Sequence, residues 1–255
     1  MSHDEAKRLR AIVHGVLLAP SPLSRYWPGP SRRALHGAVA LFSTGGGPGP
    51  DYNFVFVIDP VDPERVFALA DAFFAPAAVW SVAVEVGVAT AVEAALLARG
   101  WSLDEEEPAL VLVEAPPIPP PPAELAIRPV RDERGLADFY AVSRTVPHFV
   151  PSLAAATDPE IALFVGYCDD RPVATSRLAC LGGVAEITGI GTLPEYRKRG
   201  FGTAMTWATV AEAAARGCST TMLNASPLGY LIYRRMGFVP VGTYRTYLPP
   251  EGQAE

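Results

Sequence analysis

"TLPEYRKRGFGTAMTWATVAEAAARG", residues 192–217, sets three consecutive basic side chains, Arg197, Lys198 and Arg199, beside two glycines, Gly200 and Gly202. The stretch lies where a strand-like run, "VAEITGIGTL" (184–193), gives way to a helix-like one. From Phe201 onward, Met205, Ala208, Val210, Ala211 and Ala215 mark an apolar helical face, and Gly217 supplies the stop. Glycine lets backbone N–H groups approach a ligand without a Cβ in the way. The first turn of a helix adds unpaired donors at the positive end of its dipole. The stretch therefore reads as an anion cradle, and three cations beside a run of amides suit a pyrophosphate. Other phosphate loops fit badly: no Gly-Lys-Ser/Thr is present, and Met205 stands where a dinucleotide fingerprint would have its third glycine.

Upstream of the cradle, "IALFVGY" and "PVATSRLACL" are strands separated by the tight turn "CDDR", and Gly182-Gly183 turns the chain again into the strand before the cradle. "LAIRPV" (125–130) and the helical "DERGLADFYAVSRT" open this half. Downstream, "STTMLNA" is a strand, "LGYLIYRRM" a helix ended by Gly237, and "FVPVGTYRTYL" a closing strand pair or extended tail. An antiparallel meander followed by a strand-helix-strand unit predicts a mixed α/β sheet of α+β type and excludes a regular doubly wound one.

"APPIPPPPAE" (115–124) cannot continue a helix or a central strand, because proline lacks the N–H and keeps its neighbours extended. It reads as a linker, giving a first domain at 1–114 and a second at 125–255. The first repeats the alternation: "NFVFVI" as strand, a helix with Asp62 as N-cap, Pro63 at its first position and Glu64 in its first turn, then "WSVAVEV", "ATAVEAALLARG" and "ALVLVE".

The chain has 255 residues, enough for one large core or two modest ones. Its net charge is −6. Residues 1–122 carry 8 basic and 14 acidic side chains and residues 123–255 carry 13 of each, so the basic cluster is local. Such a balance argues against a nucleic-acid partner. Glu85 and Glu93 interrupt the most apolar stretch, 77–97, so no membrane span is expected. The N-terminal run reads as an amphipathic helix rather than a secretion signal. Cys168, Cys180 and Cys218 are odd in number and widely spaced. They indicate neither a disulfide framework nor a metal site, and fit a reducing cytoplasm.

Arg197-x-x-Gly200-x-Gly202, preceded by Ile190-x-Thr192-x-Pro194 and followed by Tyr233-x-x-x-Gly237-Phe238, resembles the acyl-CoA-binding core of the GNAT superfamily of N-acyltransferases, over about residues 125–248. The resemblance implies a mixed sheet splayed open at 184–193, with acetyl-CoA as co-substrate inserted in the opening. The pyrophosphate would sit on the amides of Lys198, Arg199, Gly200, Phe201, Gly202 and Thr203, near Arg197. The pantetheine would pair with backbone near Ile190, Gly191 and Thr192, where Gly189 and Gly191 are consistent with a bulge. The family commonly has an asparagine seven residues before the tyrosine. Ser226 holds that place here and Asn224 sits two earlier, which leaves both as candidate contacts to the cofactor.

Acetyl transfer needs a proton taken from the amine and one returned to the thiolate. The resemblance gives these roles to Glu186 and Tyr233, with Tyr230 one helical turn earlier as the substitute acid. It places the acceptor-side loop at His148 and Phe149, and implies a small-molecule or peptide amine as acceptor and a monomer or homodimer. The first domain reads as a degenerate copy, because Asp59, Asp62 and Glu64 put negative charge where a pyrophosphate would go. The alternative to an N-acetyltransferase is a non-catalytic acyl-CoA-binding sensor.

Overall fold

The computed structural model describes residues 2–27, 29–143 and 152–250. The chain divides into two compact units whose sequences interleave. The first comprises residues 1–20, 27–109 and 241–255, and the second residues 21–26 and 110–240. The proline-rich segment falls within the second unit, and the last strand joins the first. Both differ from a cut at 115–124, because strand pairing, not chain order, decides membership.

In the first unit, α1 (His3–Leu17) starts in a capping box between Ser2 and Glu5 and turns Leu9, Val13 and Val16 inward. The hairpin β1 (Arg32–His36) and β2 (Val39–Ser43) leads by antiparallel pairing to β3 (Asn53–Val57). Crossover helix α2 (Pro63–Phe73) then delivers β4 (Ser81–Glu85), parallel to β3. α3 (Thr90–Ala98) and β5 (Ser102–Leu112) follow, β5 running into the second unit at Leu110. On the far side of β4 lies β11 (Val239–Leu248), antiparallel, with Tyr244 opposite Glu85 and Tyr247 opposite Val82. The core sets Val39, Val55, Val57, Val82, Val84 and Leu96, all fully buried, among the aromatic rings of Phe67, Phe74, Trp101 and Tyr247.

The second unit repeats the path at greater length. β6 (Ala126–Pro129), α4 (Glu133–Ser143) and the short α5 (Leu153–Ala156) precede an antiparallel meander of β7 (Ile161–Cys168), β8 (Arg171–Leu181) and β9 (Val184–Thr192). The predicted turns are formed by Asp169 and Asp170, at φ 50° and 59°, and by Gly182 and Gly183, at 56° and 88°. Both pairs suit a type I′ hairpin. α6 (Phe201–Ala215) then crosses to β10 (Thr220–Asn224), parallel to β9, and α7 (Tyr230–Arg235) follows. α6 packs through Phe201, Met205 and Val210 onto Leu178, Ile187 and Leu223, while α4 covers β7, β8 and β9. Close packing requires Gly166, where a Cβ would lie 2.9 Å from Met205 Sδ. The closing "FVPVGTYRTYL" is one strand rather than a pair.

Candidate functional site

The parallel pair β9 and β10 is short. It runs from Val184 opposite Thr220 to Glu186 opposite Met222 and stops there, although β9 continues to Thr192. Beyond Glu186 the β10-facing edge of β9 has no strand partner among the described residues, so the sheet opens between them. β9 stays bound to β8 along the other edge, with one irregularity: Thr175 pairs with Gly191 and Arg177 with Thr188, so Gly189 and Ile190 face the single residue Ser176. This is a β-bulge. Gly189 takes φ 60°, and Thr175 Oγ1 donates to its carbonyl at 3.1 Å, fixing the distortion. Ile190, Gly191 and Thr192, all partly exposed, line the open edge.

A single 3-10 turn, Pro194–Tyr196, links β9 to the basic residues. Lys198 at φ 62° and Gly200 at 79° both occupy the left-handed region where the chain turns into α6. Gly200 is the N-cap and has no side chain to fold over the first turn. Ala204 is the first helical residue whose amide closes onto the cap, at 3.0 Å to Gly200 O, leaving the amides of Phe201, Gly202 and Thr203 without helical acceptors. A Cβ at Gly202 would meet only Thr192 Oγ1, at the ordinary distance of 3.6 Å. Nothing within the chain demands a glycine there.

The three cations differ. Arg197 folds back, its Nε donating to Thr192 O at 3.2 Å, while Lys198 is exposed. Arg199 is engaged by Glu124 of the proline-rich segment, at 3.0 Å from Nε and 2.7 Å from Nη2, and lies over the ring of Phe201. Phe201 is itself buried and stacks on Tyr196.

Across the opening, Asn224 ends β10, exposed. The exposed Ser226 uses its carbonyl to accept from the amides of Gly229 and Tyr230 at the start of α7. Tyr233 is buried on α7, edge-on to Phe238 with ring centroids 5.9 Å apart, and its ring lies directly over Gly229. A Cβ on Gly229 would fall 2.6 Å from Tyr233 Cε2, so only glycine leaves the phenol where it is. Tyr230 is partly buried at the rim of the same core.

Glu186 marks the last paired position and faces α4, on the opposite side of the sheet from α6. Burial pushes its carboxyl above the usual range, and the Arg177 guanidinium opposes that rise. Arg177 and its partner Thr188 were not singled out by sequence, although a lone arginine inside the apolar run "PVATSRLACL" was the available signal. Glu124 and Gly229 were missed as well, since neither carries a motif. His148 and Phe149 lie outside the described residues. No group of three or more His, Cys, Asp or Glu side chains that could hold a metal occurs among those described.

Residues 130–238 match the acetyltransferase (GNAT) family. No curated protein sequence matches the chain. Among solved structures, a GCN5-related N-acetyltransferase from Kribbella flavida is 21% identical, with 92% of this chain and 98% of that one covered at a TM-score of 0.70. One from Sphaerobacter thermophilus is 17% identical, with 88% and 82% covered at a TM-score of 0.58. A tandem GNAT protein from the clavulanic acid biosynthesis pathway is 12% identical, with 96% and 95% covered at a TM-score of 0.57. These likenesses establish the fold.

Proposed function

We propose, from the match of residues 130–238 to the acetyltransferase (GNAT) family, that the chain is an N-acetyltransferase moving the acetyl group of acetyl-CoA to a primary amine of a small molecule or peptide, by direct attack in a ternary complex. The observation that carries this reading is the parting of β9 from β10 beyond Glu186, directly beside the uncapped first turn of α6. Backbone along Ile190, Gly191 and Thr192 pairs with the pantetheine arm. The amides of residues 198–203 hold the pyrophosphate, with Arg197 and Lys198 adding charge. The cradle fits: the amides of Phe201, Gly202 and Thr203 have no helical acceptor, and the glycine at 202, which internal packing does not require, leaves room for the phosphates. Asn224 and Ser226 both stand exposed on the opposite lip, the carbonyl of Ser226 starting α7 and leaving its hydroxyl for the cofactor, so the two polar candidates are retained together.

The amine nitrogen forms a bond to the thioester carbonyl carbon as the carbon–sulfur bond breaks. Glu186 takes the amine proton, directly or through water, and Tyr233 gives one to the departing sulfur. The first unit binds no acetyl-CoA and serves as scaffold. No helix among the described residues is long and apolar enough to cross a membrane. The free thiols of Cys168, Cys180 and Cys218 fit a reducing cytoplasm. Release of free CoA against a panel of polyamines, aminoglycosides, amino acids and peptide N-termini tests the assignment. Turnover with one class is expected, whereas tight acetyl-CoA binding without release for any amine would make the protein a sensor.

A further inference from the structure

β8 buries an apolar run around one guanidinium. Arg177 stands opposite Thr188 on β9, and Ala179 stands opposite Glu186. Directly opposed residues share a face of the sheet, so Arg177, Thr188 and Glu186 project together toward α4. Arg177 Nε donates to Thr188 Oγ1 at 2.8 Å, which fixes the guanidinium beside β9. Glu186 is the diagonal neighbour two residues back along β9, a spacing that long side chains bridge. The next residue along β9, Gly189, begins the bulge, so the anchor joins the candidate base to the distortion that opens the sheet. A guanidinium enclosed in this way is costly unless an opposite charge compensates it.

We propose that Arg177 is the positioning residue of the candidate base: anchored by Thr188 on the same face of the sheet, its guanidinium favours the carboxylate form of Glu186 at the mouth of the opening, where it would receive the amine proton. The proposal rests on the reading of Glu186 as the base. Electrostatics agree with the geometry. Burial raises the Glu186 carboxyl and Arg177 pulls it back; burial lowers the Arg177 guanidinium, with Glu186 and then Tyr140 opposing. From α4, Tyr140 is the titratable group acting on the pair; burial drives its phenol up, and Arg177 partly restrains it. β10 presents Thr220, Thr221 and Met222 at this register, none of them titratable near neutrality.

The test is a carbon-13 titration of the full chain labelled at glutamate Cδ, with the Glu186 signal identified by its loss in Glu186→Gln. In Arg177→Gln the Glu186 midpoint should move to higher pH, Thr188→Val should move it the same way by less, and Arg177→Lys should return it toward the parent. An unchanged midpoint in folded Arg177→Gln overturns the assignment. Should that variant not fold, Thr188→Val decides alone, and an unchanged midpoint there overturns it. Activity separates this from the catalytic reading. If Glu186→Gln keeps full rate at every pH, the base reading fails whatever the titration shows. If it flattens the acid limb of kcat/KM while Arg177→Gln titrates like the parent, only the positioning role fails.

Discussion

The two units send the chain along the same route, antiparallel strands, a crossover helix and a parallel strand, and finish it in opposite ways. In the first, β3 and β4 stay paired to the last residue of β3, Val57 opposite Val84. In the second, β9 outruns its pairing with β10 by residues 187–192. The first helix, α2, begins at Asp62, whose carboxylate accepts from the amide of Glu64 at 3.1 Å; the second, α6, begins at Gly200, which has nothing to offer its own amides. The strand ends of the first unit are also tied by α1. Arg10 donates to Ile58 O at 2.7 Å and to both Glu85 oxygens, and His14 lies 2.8 Å from Glu85. A crossover that satisfies its own donors has none to offer an anion, whereas one that leaves them open does.

The sharpest way to break this contrast is stoichiometry. Calorimetric titration should find one acetyl-CoA per chain, and Gly202→Glu should abolish that heat without loss of folding, since it sets a carboxylate against the phosphates. Two equivalent sites would end the distinction between the helix entries. Next in size is the phenol. Tyr233→Phe keeps the ring over Gly229, so turnover should fall by ~10²–10⁴ with acetyl-CoA affinity intact. Tyr230→Phe is the control and should change little; a reversal of the two results would move the acid by one helical turn.

The third prediction concerns the tie in the first unit. Burial pushes the Glu85 carboxyl up, but hydrogen bonds from His14 and Arg10 and their charges outweigh it, holding the carboxyl below its ordinary range. A carboxyl depressed in the folded state contributes stability above its unfolded pKa and loses it as pH falls through the folded one. Urea midpoints measured from pH 7 down to 3 should therefore fall more steeply for the parent than for Glu85→Gln. Parallel curves would show that the tie carries no linkage. The smallest effect is expected at α2, where Asp62→Ala should cost about 1 kcal/mol of stability as a lost N-cap. It should create no acetyl-CoA site, because emptying the cap does not open the sheet.

The cradle was legible because its features are local: glycines at 200 and 202 bear directly on backbone donors, and a helical face follows at once. The same locality made the Asp62 cap readable. The edge strand β1 was not, because its residues are largely exposed and alternate weakly. The acidic run 104–107 likewise hid the first half of β5. Arg177 could not be tied to Glu186 from sequence, since the link is a cross-strand register shifted by the bulge. The destination of β11 was hidden for a related reason: adjacency in sequence to α7 says nothing about which strand edge it completes.

That destination bears on how the molecule is made. β4 is fully buried, and one of its two edges is covered by a strand lying some 160 residues later in the chain, with Tyr247 opposite Val82. During synthesis from the N-terminus the first unit must wait, its central strand bare along one side, until residues 244–247 have emerged. A bare apolar edge is a template for unwanted pairing. A chain ending at residue 240 should accordingly aggregate through the half it leaves untouched in sequence, and supplying residues 241–250 as a separate peptide should suppress that aggregation.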